Sequence, residues 1–429
     1  MRDKILLRQL QALPLDAKVL MTQQRIREWY NHWNGNVVIS FSGGKDSTVL
    51  TDLVHDMYPE VPLVFANTGL EYPEIQAFAR EMGAEFVRPK MSFSEVISKY
   101  GYPIIGKEVA EAIHFARRIV PSELVGWGIA NKETSNESNF TGNGSTETDG
   151  IGRAKRQRTY PEIQGRTGWR RTNLQGNTPP VQKKRSEESN ERGNGSCGSD
   201  GVGVGSSQFN KKKWLPLCQN APFYISHYCC NVIKKSPIQK YQRKTGLKPF
   251  IGTLAEESRM RTQAWIRHGC NVFEGHKQTS QPMSFWTEQD VLHYIKQNSL
   301  KICSVYGDIL ASDDTGMFYE PLPGVECNLK CTGCQRTGCV FCGFGCHLEK
   351  GETRFQMLAR THPKQYEYCM NGGQWVDNPN YDPVAPIMDG DWKNWNPKKV
   401  WVPSKEGLGM RYVFEVCNDI YGKDFIRYE

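Results

Sequence analysis

Residues 37–50 read VVISFSGGKDSTVL, a β-branched apolar run that breaks into Ser42, Gly43, Gly44, Lys45, Asp46 and Ser47 and resumes as a helix. Such a loop suits an anion. The first amides of a helix lack intrahelical partners and point outward, and glycines let the backbone approach a ligand closely. Gly43 and Gly44 can also take positive φ, so that successive amides converge as a nest. The order of strand, loop and helix favours phosphate over a plain glycine turn, and the missing G-x-x-x-x-G-K-[ST] spacing argues against ordinary kinase or GTPase chemistry.

Outward from this stretch, strand and helix alternate. A helix is expected over 15–33, with Asp16 as N-cap and Val19, Leu20, Ile26, Trp29 and Tyr30 as apolar positions. VPLVFANTGL (61–70) reads as a buried strand ending in a turn, YPEIQAFAREMG (72–83) as a helix and EFVRP (85–89) as a short strand. KPFIGT (248–253) is a further strand leading into LAEESRMRTQAWIRHG, and WTEQDVLHYIKQN (286–298) is a helix capped by Thr287. This alternation predicts an α/β fold, a doubly wound, mostly parallel sheet. Ligands of such sheets sit beyond the carboxyl ends of the strands, which places 42–47 and the turn after Phe65 on one rim.

The chain has 429 residues, 38% hydrophobic and 23% charged, enough for a full core. A helical segment over 1–34, a nucleotide-binding domain over 35–129 and 211–326, a Cys-rich segment over 327–349 and a small C-terminal appendix over 350–429 are expected. Between them, 130–210 loses apolar periodicity and reads as a low-complexity insertion. The net charge of +8 is concentrated there: 151–185 holds ten Lys or Arg against Glu162 alone, so the rest of the chain is close to neutral. Arg interleaved with Tyr160 and Trp169 suits a backbone-dominated, salt-sensitive nucleic-acid partner, or simply a solvated spacer. MRDKILLRQLQALPLDAK carries no apolar leader and no run approaches the roughly 20 apolar residues that span a bilayer, so a cytoplasmic protein without a membrane partner is expected.

All 14 cysteines fall at or after Cys197, and six form C-x3-C-x2-C-x4-C-x2-C-x3-C through Cys327, Cys331, Cys334, Cys339, Cys342 and Cys346. In a reducing compartment this density points to metal rather than disulfides. Zinc ribbons separate their C-x2-C pairs by a dozen or more residues, so iron–sulfur is favoured and zinc is the alternative. The first three cysteines also mimic a radical S-adenosylmethionine site, but no barrel of βα units follows them.

SFSGGKDS, NTGLEYPEI, GTLAEESRMR and MSFWTEQDVLHYI, in this order, resemble the phosphoadenosine phosphosulfate (PAPS) reductase family of adenine nucleotide α-hydrolase-like, PP-loop proteins. HYCCNVIKKSP and TGCQRTGCVFCGFGCHLE resemble its cysteine-rich branch. The resemblance covers most of 35–348 and implies a five-stranded, mostly parallel sheet. It implies an anion loop of Ser42, Gly43, Gly44, Lys45, Asp46 and Ser47, with Lys45 a solvent-facing point charge. Thr68 and Gly69 follow the second strand, and Glu257, Ser258, Arg259 and Arg261 form a second anion-contacting motif, suited by the planar Arg fork. Lys45, Asp46 and Arg259 are the candidate catalytic residues. By the same likeness Cys229, Cys230, Cys334, Cys339 and Cys342 supply the ligands of a [4Fe–4S] cluster.

Two departures stand out. Asn67 replaces the family's Asp before Thr68, and the tail, FEVCNDIYGKDFIRYE, lacks the Glu-Cys-Gly-x-His motif of thiol-dependent reductases, leaving Cys417 as an apolar-flanked core residue. The resemblance implies a sulfonucleotide reductase acting on PAPS or adenosine phosphosulfate (APS), with a thioredoxin- or ferredoxin-like electron donor. The missing tail cysteine motif and the basic insertion favour a second scheme, an ATP pyrophosphatase that uses Mg-ATP to thiolate tRNA or phosphorothioate DNA. A non-catalytic nucleotide- or nucleic-acid-binding module is the third.

Overall fold

The computed structural model describes residues 3–117, 211–275, 277–313, 317–320, 327–384 and 395–429. Its centre is a six-stranded sheet of order β3-β2-β1-β5-β7-β6, from β1 (Val37–Phe41), β2 (Leu63–Ala66), β3 (Glu85–Val87), β5 (Lys248–Ile251), β6 (Asn271–Val272) and β7 (Thr279–Ser280), while β4 (Ile104–Ile105) pairs outside it. All neighbours pair parallel except β6 with β7, so an antiparallel edge strand is added to the five expected. The apolar run of β1 has no polar alternation because both faces are covered: Val37, Ile39 and Phe41 enter the main core, while Val38 packs with Val64 and Tyr241 on the other side.

Register sets the rim. Phe41 lies opposite Phe65, and Ser40 lies opposite Ile251, so the chain leaves β1, β2 and β5 at one edge. The loop from Ser42, the turn at Asn67 and the GTLAEES segment therefore start side by side.

The helix Leu15–His32 begins after Pro14, and Asp16 sits in its first turn without capping it. Its buried stripe is Lys18, Thr22, Ile26 and Trp29, and Leu20 faces solvent. The stripe rotates to include a lysine because Lys18 Nζ reaches both carboxylate oxygens of Asp290, at 2.8 and 2.7 Å. Thr287 caps the helix Glu288–Gln297 as expected, within a capping box closed by Asp290.

Beyond the sheet, Leu329–Cys331 joins Ile309–Ser312 and Phe318–Tyr319 in a three-stranded antiparallel sheet. The C-terminal stretch forms the helices Arg354–Thr361, Pro363–Met370 and Met410–Tyr421 and a strand pair, Gln374–Asp377 with Lys399–Val402. Phe355, Leu358, Met370, Val413 and Phe414 enter the same core as β1, so this stretch packs as part of the main unit, 1–119 with 208–429. A second unit, 120–207, lies outside the described residues, as does the insertion 130–210. Among the described residues no helix is long and apolar enough to cross a membrane.

Candidate functional site

Gly43 adopts φ +70°, and a Cβ there would stand 2.7 Å from Ile75 Cγ2, so both conformation and space require glycine. Gly44 is the N-cap of the helix Lys45–His55. The loop is stiffened by its own hydroxyls. Ser47 Oγ donates to Gly44 O at 2.8 Å, shares a 3.0 Å hydrogen bond with Ser42 Oγ and accepts from the Ser42 amide at 3.2 Å. From the far side the backbone closes in, since a Cβ on Gly252 would lie 2.9 Å from Asp46 O.

Lys45 is not solvent-facing. It is 5% exposed, and its ammonium pairs with Glu288 at 2.8 Å and donates to the Gln335 carbonyl at 3.1 Å. Lys45 is already the first helical residue, and its ammonium reaches Glu288 at the start of the helix Glu288–Gln297 rather than solvent. Its amide donates to Tyr306 OH at 3.2 Å, and that hydroxyl shares a 2.6 Å hydrogen bond with Thr337 Oγ1. Asp46 has a buried, unpartnered Oδ1. Burial pushes its carboxyl pKa up; Lys45 pulls it back, Glu288 adds to the rise, and Arg336 and Arg261 oppose it.

Thr68 is buried with Glu71, whose carboxylate accepts from the Thr68 hydroxyl at 2.7 Å and the Thr68 amide at 3.1 Å. Asn67 Oδ1 accepts from the Gly69 amide at 3.2 Å, which is a turn-forming role an aspartate would share. Across the rim, Ser258 caps the helix Arg259–His268, accepting from the Arg261 amide. Glu257 is ion-paired with Arg261 and, at 3.3 Å, with Arg336. Arg259 is exposed at the start of that helix. The loop, the 67–71 turn and the 252–261 segment thus surround one edge of the sheet, as expected, and Glu288, Tyr306, Gln335, Arg336 and Thr337 join them. Glu288 lies within MSFWTEQDVLHYI and Gln335, Arg336 and Thr337 within TGCQRTGCVFCGFGCHLE, but nothing local marks these side chains, or Tyr306, as partners of the loop. They arrive from 240 or more positions along the chain.

Among the described residues the candidate ligand thiols divide into two groups. Cys229 and Cys230 stand with their sulfurs 3.9 Å apart, Cys230 opening a π-helical turn, Cys230–Lys235, a distortion common at functional sites. Cys339 and Cys342 come within electrostatic reach of this pair. One short run holds both segments: Tyr102 bridges Ile225, just before the pair, and Ile104–Ile105 pairs with Gly343–Phe344, just after Cys342. Cys334 lies apart, donating to Arg336 O at 2.9 Å, with Tyr72, Cys331 and Cys303 near it. Cys417 is fully buried, and burial raises its pKa.

Within the four-thiol group, the hydrogen bond from Cys229 drives the Cys230 pKa down, with Lys107, Lys234 and Lys235 assisting. Burial pushes Cys339 up to about 12. Lys234 stands among them: burial works against its charge, but Cys339, Glu71, Cys230 and Cys342 outweigh it and raise its pKa. Among the described residues no three His, Cys, Asp or Glu side chains are set to hold a metal ion as they stand. The four thiols are gathered without being closed on one point.

Residues 36–108 and 205–343 match the phosphoadenosine phosphosulfate reductase domain. An adenosine 5′-phosphosulfate reductase of Staphylococcus haemolyticus is 28% identical over 114 residues, 24% of this chain and 46% of the relative. An uncharacterized protein of Methanocaldococcus jannaschii is 32% identical over 94 residues, 21% of this chain and 23% of that protein. The chain therefore spans about half of the first relative and about a quarter of the second. A phosphoadenylyl-sulfate (PAPS) reductase from Candida auris, solved as a phosphate complex, aligns with TM-score 0.30 at 11% identity over 71% of this chain and 91% of that chain. By the matched domain and the motifs that fold together at one rim, the chain belongs to the phosphoadenosine phosphosulfate reductase family.

Proposed function

We propose that the chain is a sulfonucleotide reductase: it binds PAPS or APS with the phosphosulfate tail at loop 42–47 and releases sulfite, taking two electrons from a thioredoxin- or ferredoxin-like donor. One observation carries this reading. The loop, the Glu257–Arg261 motif and the cysteine segment meet, with Arg336 on Glu257, Gln335 on Lys45 and Thr337 beside Gly44. Ser42, Ser47 and the loop amides would hold the anion, and Arg259 and Arg261 would balance its charge. Asp46, with one buried oxygen free of partners, would accept a hydrogen bond from the ligand or face a Mg ion if ATP is bound.

Cys229, Cys230, Cys339 and Cys342 fit a [4Fe–4S] cluster by donor chemistry: four thiols from two segments, with Lys234, Lys107 and Arg354 near enough to offset thiolate charge. When bound, such a cluster takes up or gives one electron at a time. Cys334 is the notional fifth ligand of the set and lies with the loop instead. Zinc on the same thiols is the alternative.

A second reading, adenylation from Mg-ATP with pyrophosphate release ahead of nucleic-acid thiolation, draws on the burial of Cys417, which leaves the tail without a reactive thiol. The basic stretch 151–185 that would contact nucleic acid lies outside the described residues. Anaerobic incubation with PAPS, APS and Mg-ATP, in the presence of reduced thioredoxin or ferredoxin as electron donor and of tRNA and DNA as acceptors, separates the two. Sulfite supports reduction, pyrophosphate supports adenylation, and neither product from any of the three overturns both.

A further inference from the structure

Arg336 lies between Cys334 and Cys339, yet its surroundings are those of the anion loop. Its neighbours in sequence are pinned there on both sides, Gln335 by the Lys45 ammonium at 3.1 Å and Thr337 by Tyr306 OH at 2.6 Å. Its own carbonyl accepts from Cys334 Sγ at 2.9 Å, which fixes the turn between them. The guanidinium stands 3.3 Å from Glu257 Oε1, while Arg261 pairs with the other oxygen.

Lys45, Arg261 and Arg336 face the carboxylates of Glu288, Glu257 and Asp46, so what distinguishes Arg336 is its free donors. Lys45, the loop's own cation, is matched by Glu288 at 2.8 Å. Two guanidiniums share the single carboxylate of Glu257, and Glu257 is 17% exposed while the Arg336 side chain is 65% exposed. A planar fork of five donors with one carboxylate partner keeps donors for a second anion. We infer that Arg336 is a specificity-determining residue that binds the second anionic group of the nucleotide tail, the sulfate of a sulfonucleotide or the β-phosphate of a diphosphate. The inference rests on the nucleotide reading above and adds a residue to it. It also gives the cysteine segment a use beyond its thiols, that of carrying a cation onto the loop.

Calorimetric titration of the full chain and of Arg336→Ala with AMP, ADP and APS tests this. The variant should lose roughly tenfold to hundredfold affinity for the two-anion ligands, as expected for one charge-assisted contact, and keep its AMP affinity within about twofold. Arg336→Lys should recover part of the loss. The ADP and APS arms tell a phosphate site from a sulfate site by which ligand loses more. An exposed side chain leaves the melting temperature unchanged, which excludes unfolding as the cause. Equal losses for AMP, or none for ADP and APS, overturn the inference while leaving the nucleotide reading standing. A wild-type chain that binds none of the three overturns that reading and the inference with it.

Discussion

Lys45 donates from one buried ammonium to Glu288 and to the Gln335 carbonyl, so its removal acts on the fold and, under the proposed nucleotide reading, on the ligand as well. Lys45→Ala should cost about 1.5–3 kcal/mol of stability, the range for charge-assisted hydrogen bonds. It should also lower nucleotide affinity about tenfold to hundredfold. Urea unfolding beside calorimetry checks the two effects, and unchanged values in both would refute the role. Asp46 gives a pH signature. Its folded pKa is raised, chiefly by burial; the stability carried by the protonated carboxyl is complete below the ordinary Asp value near ~3.9 and is lost as pH rises through the folded value. At pH 7 the ionised group is therefore a burden. Asp46→Asn should be more stable than wild type at neutral pH, with the advantage shrinking as pH falls toward about 4, and urea midpoints at the two pH values show it. An advantage that grows on acidification would contradict the burial argument.

The helix Glu288–Gln297 joins three parts of the fold through its first turn: Thr287 and Asp290 close the capping box, Asp290 takes Lys18, and Glu288 takes Lys45. Lys18 is 2% exposed, so Asp290→Ala strands a buried ammonium and should cost about 3–5 kcal/mol. Pairing it with Lys18→Met should restore much of the loss, because the charge then goes with its partner, and denaturant midpoints of single and double variants measure this. Elements of this kind were legible where local pattern sufficed. Glycines between a β-branched run and a helix marked the loop, and Thr287 three residues before Asp290 marked a cap. Leu20 faces solvent, because apolarity alone does not say which stripe packs when a lysine finds a buried carboxylate. Nothing local marks Tyr306, Gln335 and Thr337 as partners of the loop, since they reach it only through tertiary folding, and Arg336 lies among cysteines whose spacing signals metal rather than an anion.

At the scale of the whole molecule, one core joins the sheet, the cysteine segment and the C-terminal helices, so the thiols and the anion loop are built on a common support. Protein purified without oxygen should be brown, with a broad shoulder near ~400 nm from thiolate-to-iron charge transfer, and Cys339→Ser or Cys342→Ser should remove it. Cys334→Ser should leave the colour intact, because Cys334 stands with Tyr72 rather than with the four gathered thiols. A colourless protein holding stoichiometric zinc would contradict the iron assignment. The measurement that bears most directly on the central claim is calorimetric titration of the full chain with PAPS, APS and Mg-ATP. The account predicts saturable binding, tighter for a sulfonucleotide than for Mg-ATP and weakened in Lys45→Ala; absence of binding by all three, or an affinity indifferent to Lys45, would contradict it.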